Sequence, residues 1–113
     1  MSDVAFDWRE ALARLPTPGG RRFVECFRHG TLTLELYAPR GSDPQTPHTR
    51  DELYVVVAGS GTFFRDGGRV PFSAGDALFV PAGVAHRFEA FGDDLAVWVI
   101  FYGAEGGEAA ASD

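Results

Sequence analysis

Two histidines and one glutamate have residue types and settings that can surround a single ion. His48 and Glu52 lie in the run Thr46-Pro47-His48-Thr49-Arg50-Asp51-Glu52-Leu53-Tyr54. His86 closes the run Gly75-Asp76-Ala77-Leu78-Phe79-Val80-Pro81-Ala82-Gly83-Val84-Ala85-His86. Both runs set the ligand-type residue beside Gly/Pro turns and a short apolar stretch. Two imidazoles and a carboxylate, with coordination positions left open, suit iron, manganese, zinc or nickel. The expected cofactor is therefore one divalent metal ion, held by His48, Glu52 and His86, with water in the other positions. Glutamate is almost never buried without a partner, and a metal would supply one. An Arg50–Glu52 salt bridge is the competing structural account. His29 falls at a turn tip, and Cys26 alternates with apolar neighbours as a small core or interface residue does.

Strand geometry tests the spacing. Side chains alternate between the two faces of a strand, so residues four apart share a face. His48 and Glu52 are four apart. In a regular strand Thr46, Arg50, Tyr54 and Val56 would join them, while Asp51, Leu53, Val55 and Val57 face the other way; a bend near Arg50 would change this. On the later strand His86, Phe88 and Ala90 share a face, with Arg87 and Glu89 opposite. A barrel that brings these strands together would seat His86 beside His48 and Glu52. Thr46, Arg50, Tyr54 and Phe88 are then the candidates for lining a ligand pocket.

The elements that must do this positioning are mostly short strands. Asp3 to Leu15 reads as an amphipathic helix, with Val4, Trp8, Ala11, Leu12 and Leu15 at three- and four-residue spacing. Ser2 or Asp3 can cap it, and Pro16, Pro18, Gly19 and Gly20 end it. Strands are expected over Arg22–Arg28 and Thr31–Ala38, around His29-Gly30. A loop from Pro39 to Pro47 delivers the chain to His48. Glu52–Ala58 and Thr62–Arg65 read as a hairpin around Gly59-Ser60-Gly61. Asp66-Gly67-Gly68 is a second turn, leading into Arg69–Phe72. Ala77–Val80, Ala85–Phe91 and Leu95–Tyr102 complete the set. The expected organisation is a helix and linker over 1–20, one barrel domain over 21–103, and a fraying acidic tail over 104–113. Of Tyr37, Tyr54, Phe79, Phe88, Trp98, Ile100 and Tyr102, about half would line the cavity and the others pack between sheets or subunits, because a small barrel of ~100 residues offers only one interior.

These two runs resemble the two motifs of the cupin superfamily. The first motif's second histidine, glutamate and closing glycine correspond to His48, Glu52 and Gly59. The first histidine is replaced by Thr46, and the opening glycine is displaced by one residue, to Gly41. In the second motif Gly75, Pro81, Gly83 and His86 match in register, with Ala90 in place of an asparagine. The resemblance implies an all-β fold, an antiparallel jelly-roll or double-stranded β-helix barrel, here with a short N-terminal helix. It implies a three-ligand metal site in which Thr46 lies behind the ligands or lines the substrate space. It also implies a small-molecule ligand within the barrel.

Composition narrows the function classes. The chain has 113 residues, 45% of them hydrophobic and 23% charged, as one small globular domain would. A net charge of -6 gives no general attraction to nucleic acid or anionic membrane. No apolar stretch approaches the ~20 residues that cross a bilayer. The start lacks the pattern of a secretory signal, and the single cysteine excludes an intrachain disulfide, so a cytoplasmic location is expected. Abundant aromatics on a small barrel point to a homodimer that hides apolar surface. The expected activity is that of a metal-dependent enzyme, an oxygenase, isomerase or lyase acting on a small organic molecule. A ligand-binding sensor and a structural barrel with a decayed metal site are the alternatives.

Overall fold

The computed structural model describes residues 4–109. It contains one helix, α1 (Trp8–Ala13), and strands β1 (Phe23–His29), β2 (Leu32–Tyr37), β3 (Asp51–Ala58), β4 (Ser60–Arg65), β5 (Gly68–Ser73), β6 (Ala77–Val80), β7 (His86–Glu89) and β8 (Ala96–Tyr102). The strands form two antiparallel sheets, one ordered β1-β2-β8-β3-β6 and the other β5-β4-β7. This is the jelly-roll arrangement expected from the sequence. Among the described residues no helix is long and apolar enough to cross a membrane.

Strand alternation puts one row of each sheet indoors. Tyr54 and Val56 of β3, Val80 of β6, and Val97 and Val99 of β8 meet Phe63, Phe72 and Phe88 from the smaller sheet in one core. Phe88 is its centre, with ring centroids 4.9 Å from Tyr54, 5.0 Å from Phe63 and 5.3 Å from Phe72. Edge and tilted contacts of this kind add to area burial. On β2 the register sets Thr33, Glu35 and Tyr37 opposite Phe101, Val99 and Val97 of β8. The polar row of β2 therefore faces the interior, while Leu36 is buried on the opposite face, where α1 packs over β2 and β8.

Two expectations need correction. The helix starts at Trp8, and its cap is Asp7, whose carboxylate accepts the Arg9 amide at 2.8 Å. An aspartate there satisfies an otherwise free amide of the first turn, so the apolar spacing of Val4 does not extend the helix. Ser2 and Asp3 lie outside the described residues. Second, β3 and β4 are not a hairpin. β3 pairs with β6 and β8, and β4 pairs with β5 and β7. The chain turns a corner between sheets at Gly59, whose φ is +92° and where a Cβ would stand 2.8 Å from Leu95 Cα. Only glycine fits that conformation and that approach. The true hairpin follows: Asp66 and Gly67, both with positive φ, connect β4 to β5.

The C-terminal segment is tied back over part of its length. Gly106 donates to the Thr49 carbonyl at 2.6 Å, and Glu108 to Asp51 Oδ2 at 2.9 Å. Residues 104–109, expected to fray, thus brace the start of β3.

Candidate metal centre and cavity

Backbone contacts bring the two runs together. Gly83, with φ +80°, donates to the carbonyl of His48 at 2.7 Å. Asp51, at the head of β3, accepts the Ala82 amide at 2.9 Å. The turn before β7 is thereby fastened to the chain leading into β3. Glu52 lies on the inner face of β3 and His86 on that of β7, both buried. His48 precedes β3 and is half-buried, with its ring centroid 5.2 Å from that of His86.

The three side chains converge. Nε2 of His86 is 2.7 Å from Oε1 of Glu52, and Nε2 of His48 is 3.8 Å from the same oxygen. The shorter distance alone would read as a hydrogen bond, but the angles do not support one. Both Glu52 oxygens and His86 Nε2 are buried without a partner at hydrogen-bonding geometry. A hydrogen bond weakens steeply when misaligned. An unpartnered buried carboxylate costs several kcal/mol, which a bound cation would offset. One ligand atom from each residue lies within 4.8 Å of the others, so the group could hold a metal ion. His86 Nδ1 lies 2.9 Å from the Val84 carbonyl, and donating to it turns the Nε2 lone pair inward.

Electrostatics separates the two imidazoles. Burial lowers the His48 pKa, outweighing the Glu52 carboxylate, which favours the neutral ring that ligates. At His86 burial also works against the charge, but Glu52 and the Val84 carbonyl outweigh it and raise the pKa. Arg50 does not pair with Glu52. Its guanidinium reaches the Thr31 carbonyl and Thr33 Oγ1 and lies over the Phe101 ring, so the salt-bridge alternative is absent. Regular strand begins only at Asp51, yet Arg50 lies on the expected side, with Thr33, Phe101 and His48.

A cavity of about 620 Å³ opens beside this group, lined by residues that include Glu35, Tyr37, Gln45, Thr46, His48 and Phe101. Thr46 is exposed at its rim, and Arg50 lines an adjoining polar recess shared with Glu35 and His48. Tyr54 and Phe88 are buried in the core, and neither lines the open space. Of the other aromatics considered, Tyr37 lines the cavity, while Phe79 is 42% exposed on the sheet's outer side.

Three residues of this region were not anticipated. Gln45 places Oε1 3.1 Å from His48 Nε2 and accepts from Tyr54 Oη at 2.8 Å. Asp43, buried in the loop, accepts from Tyr37 Oη, from Gln45 Nε2 at 2.7 Å and from the Phe88 amide at 2.8 Å. Loop residues have no periodicity, so neither could be read from spacing. Glu35 did carry a signal, since it sits between Thr33 and Tyr37 on one face of an alternating strand. Among the described residues it has no hydrogen-bond or ion-pair partner. Its pKa is pushed up to about 7, first by burial and then by the Glu25 and Glu52 carboxylates, against the pull of Arg28 and Arg50.

A raised carboxyl pKa means that the folded state holds its proton more tightly than the unfolded chain. The stability it contributes is present below about pH 4.5 and is lost as pH rises through about 7. In metal-free protein, Glu35→Gln should therefore increase the unfolding free energy at pH 8 by up to ~3 kcal/mol, with the gain vanishing near pH 4. Urea denaturation at the two pH values checks this, and a gain that does not change with pH would contradict it.

The comparisons agree with the geometry. The cupin-domain family profile matches residues 33–102, which span β2 to β8 and all three ligand-type residues. An uncharacterised protein of Streptomyces coelicolor is 35% identical over 81 residues, covering 70% of this chain and 77% of that one. A gentisate 1,2-dioxygenase of a Ralstonia species is 30% identical over 69 residues, covering 60% of this chain but only 19% of the dioxygenase. Among solved structures, a cupin conserved-barrel domain protein from Salinispora arenicola superposes with a TM-score of 0.68 at 21% identity, covering 92% of this chain and 91% of that one. With more than half its length inside the profile and its strands in the same arrangement, the chain belongs to the cupin family.

Proposed function

We propose that the protein is a metal-dependent enzyme acting on a small organic molecule, with one divalent metal held by His48, Glu52 and His86. The observation that carries this reading is the buried Glu52 carboxylate, which faces two imidazoles with no hydrogen-bond partner for either oxygen. Iron, manganese, zinc and nickel all suit the donor set. Such an ion would supply Lewis acidity to a substrate oxygen or, as iron, activation of dioxygen. The partial match to a dioxygenase supports the oxygenase branch, though it covers a small part of that protein.

The chain's own groups supply the remaining parts. Glu35 faces the cavity beside His48, with a pKa near neutrality that suits proton exchange with a bound molecule. Gln45, rather than Thr46, stands against the ligand group, held by Asp43 and Tyr54. Its Oε1 lies 3.1 Å from His48 Nε2, the nitrogen that also faces Glu52. Elemental analysis of untagged protein should find about one divalent metal per chain, and His86→Ala or Glu52→Ala should lose most of it. Gln45→Ala should weaken retention ~10–100-fold, as removal of a supporting partner does, while Thr46→Ala retains the metal. Failure of the native protein to carry or take up metal would refute the reading.

We also propose that the outer face of the larger sheet forms a homodimer interface. The registers align Leu34, Ile100, Leu53 and Phe79 in one row, flanked by Trp98 and Val55. All are partly or largely exposed, and a contiguous apolar row of this kind commonly marks an interface. Light scattering at micromolar concentration should give twice the 12.2 kDa chain mass, and Phe79→Glu should shift it toward one chain mass. A native protein of single-chain mass would overturn the assignment.

A further inference from the structure

Two arginines on the cavity wall are left without a countercharge. Arg22 donates through Nε to the Ala38 carbonyl at 2.8 Å. Arg40 donates through Nη1 to the carbonyls of Pro39 and Leu95, each at 2.9 Å. Both side chains are half-buried, and both line the 620 Å³ cavity whose wall also includes His48. No carboxylate among the described residues pairs with either. The chain nevertheless has 16 acidic residues for 10 basic ones, and Arg28, Arg69 and Arg87 each find a glutamate. Burial and the neighbouring Arg40 both disfavour the Arg22 charge, so the two guanidinium groups lie close enough to repel.

Two guanidinium groups held close together on one cavity wall make a favourable place for an anion. Backbone carbonyls fix the two guanidinium groups without neutralising them, which leaves Nη1 and Nη2 of Arg22, and Nε and Nη2 of Arg40, as uncommitted donors. Arginine forks match a carboxylate in a two-bond arrangement, and charge-assisted bonds of this kind are about twice as strong as neutral ones. Glu35 lines the same space, so a group with a single negative charge is better matched than a doubly charged phosphate. Tyr37, Pro39, Val99 and Phe101 contribute apolar wall to the same cavity. We propose that Arg22 and Arg40 form the recognition site for the carboxylate of a small organic acid, whose opposite end reaches the group of His48, Glu52 and His86. This names the substrate class for the enzyme proposed above and rests on that reading for the opposite end alone.

The test uses full-length protein with its metal content measured in every sample. Benzoate, phenylphosphonate and benzyl alcohol serve as probes in calorimetric titrations at low salt. Benzoate should bind more tightly than either other probe, and raising the salt concentration should weaken it. Arg22→Ala and Arg40→Ala should each weaken benzoate ~10-fold or more, as loss of a charge-assisted hydrogen bond does, with metal content and melting temperature retained. Arg22→Lys should recover part of the loss, since it keeps the charge without the fork. A preference for phenylphosphonate, equal binding of benzyl alcohol, or benzoate binding that ignores both alanine substitutions would overturn the proposal. If a variant does not fold, protection of wild-type arginines from phenylglyoxal by benzoate replaces it, and no protection overturns the proposal. Arginine-dependent benzoate binding by a protein that holds no metal would sustain the anion site and refute the metal centre instead.

Discussion

Glu52 is the constraint around which the rest of the structure is arranged. Its carboxylate is wholly buried on the inner face of β3, and neither oxygen has a hydrogen-bond partner. A charge in that position is tolerated only if something of opposite sign completes it. Arg50, the nearest cation in sequence, is committed to Thr31 and Thr33. What faces Glu52 instead is a pair of imidazoles, one with its outer nitrogen committed to a backbone carbonyl. The barrel therefore spends stability to hold a set of lone pairs, which is the usual mark of a site shaped for a ligand.

Holding those lone pairs in place requires rigid loops. The Gly83 amide fastens His48, and Asp51 fastens both the turn before β7 and the C-terminal segment. Asp43 joins β2, the Pro39–Pro47 loop and β7 through three bonds, and it orients Gln45 against His48. These carboxylates accept from backbone amides, the Gln45 amide and the Tyr37 hydroxyl rather than facing the centre itself. Changes at Asp43 or Asp51 would thus act by misplacing His48.

The residue pattern made the strands and the convergence of His48, Glu52 and His86 legible, because β alternation and Gly/Pro punctuation are local properties. It misled where a local pattern has two three-dimensional outcomes. Two strands separated by Gly59 look alike whether they pair as a hairpin or part into separate sheets, and only the close approach of Leu95 to Gly59 distinguishes them. The helix began later than its apolar spacing implied because Asp7 caps it. Arg50 keeps the side of the sheet expected of it, beside Thr33 and Phe101, although β3 starts one residue after it. Gln45, Asp43, Arg22 and Arg40 make their contacts from loops and strand margins, which no periodicity announces.

The most direct test of the metal centre is a crystal structure of untagged protein with anomalous diffraction recorded above and below the absorption edge of the bound metal. The account predicts a single anomalous peak per chain, with His48, Glu52 and His86 donor atoms ~2.0–2.3 Å away. A peak elsewhere would contradict it, as would Glu52 oxygens occupied by protein or water hydrogen-bond donors with no metal between the two histidines.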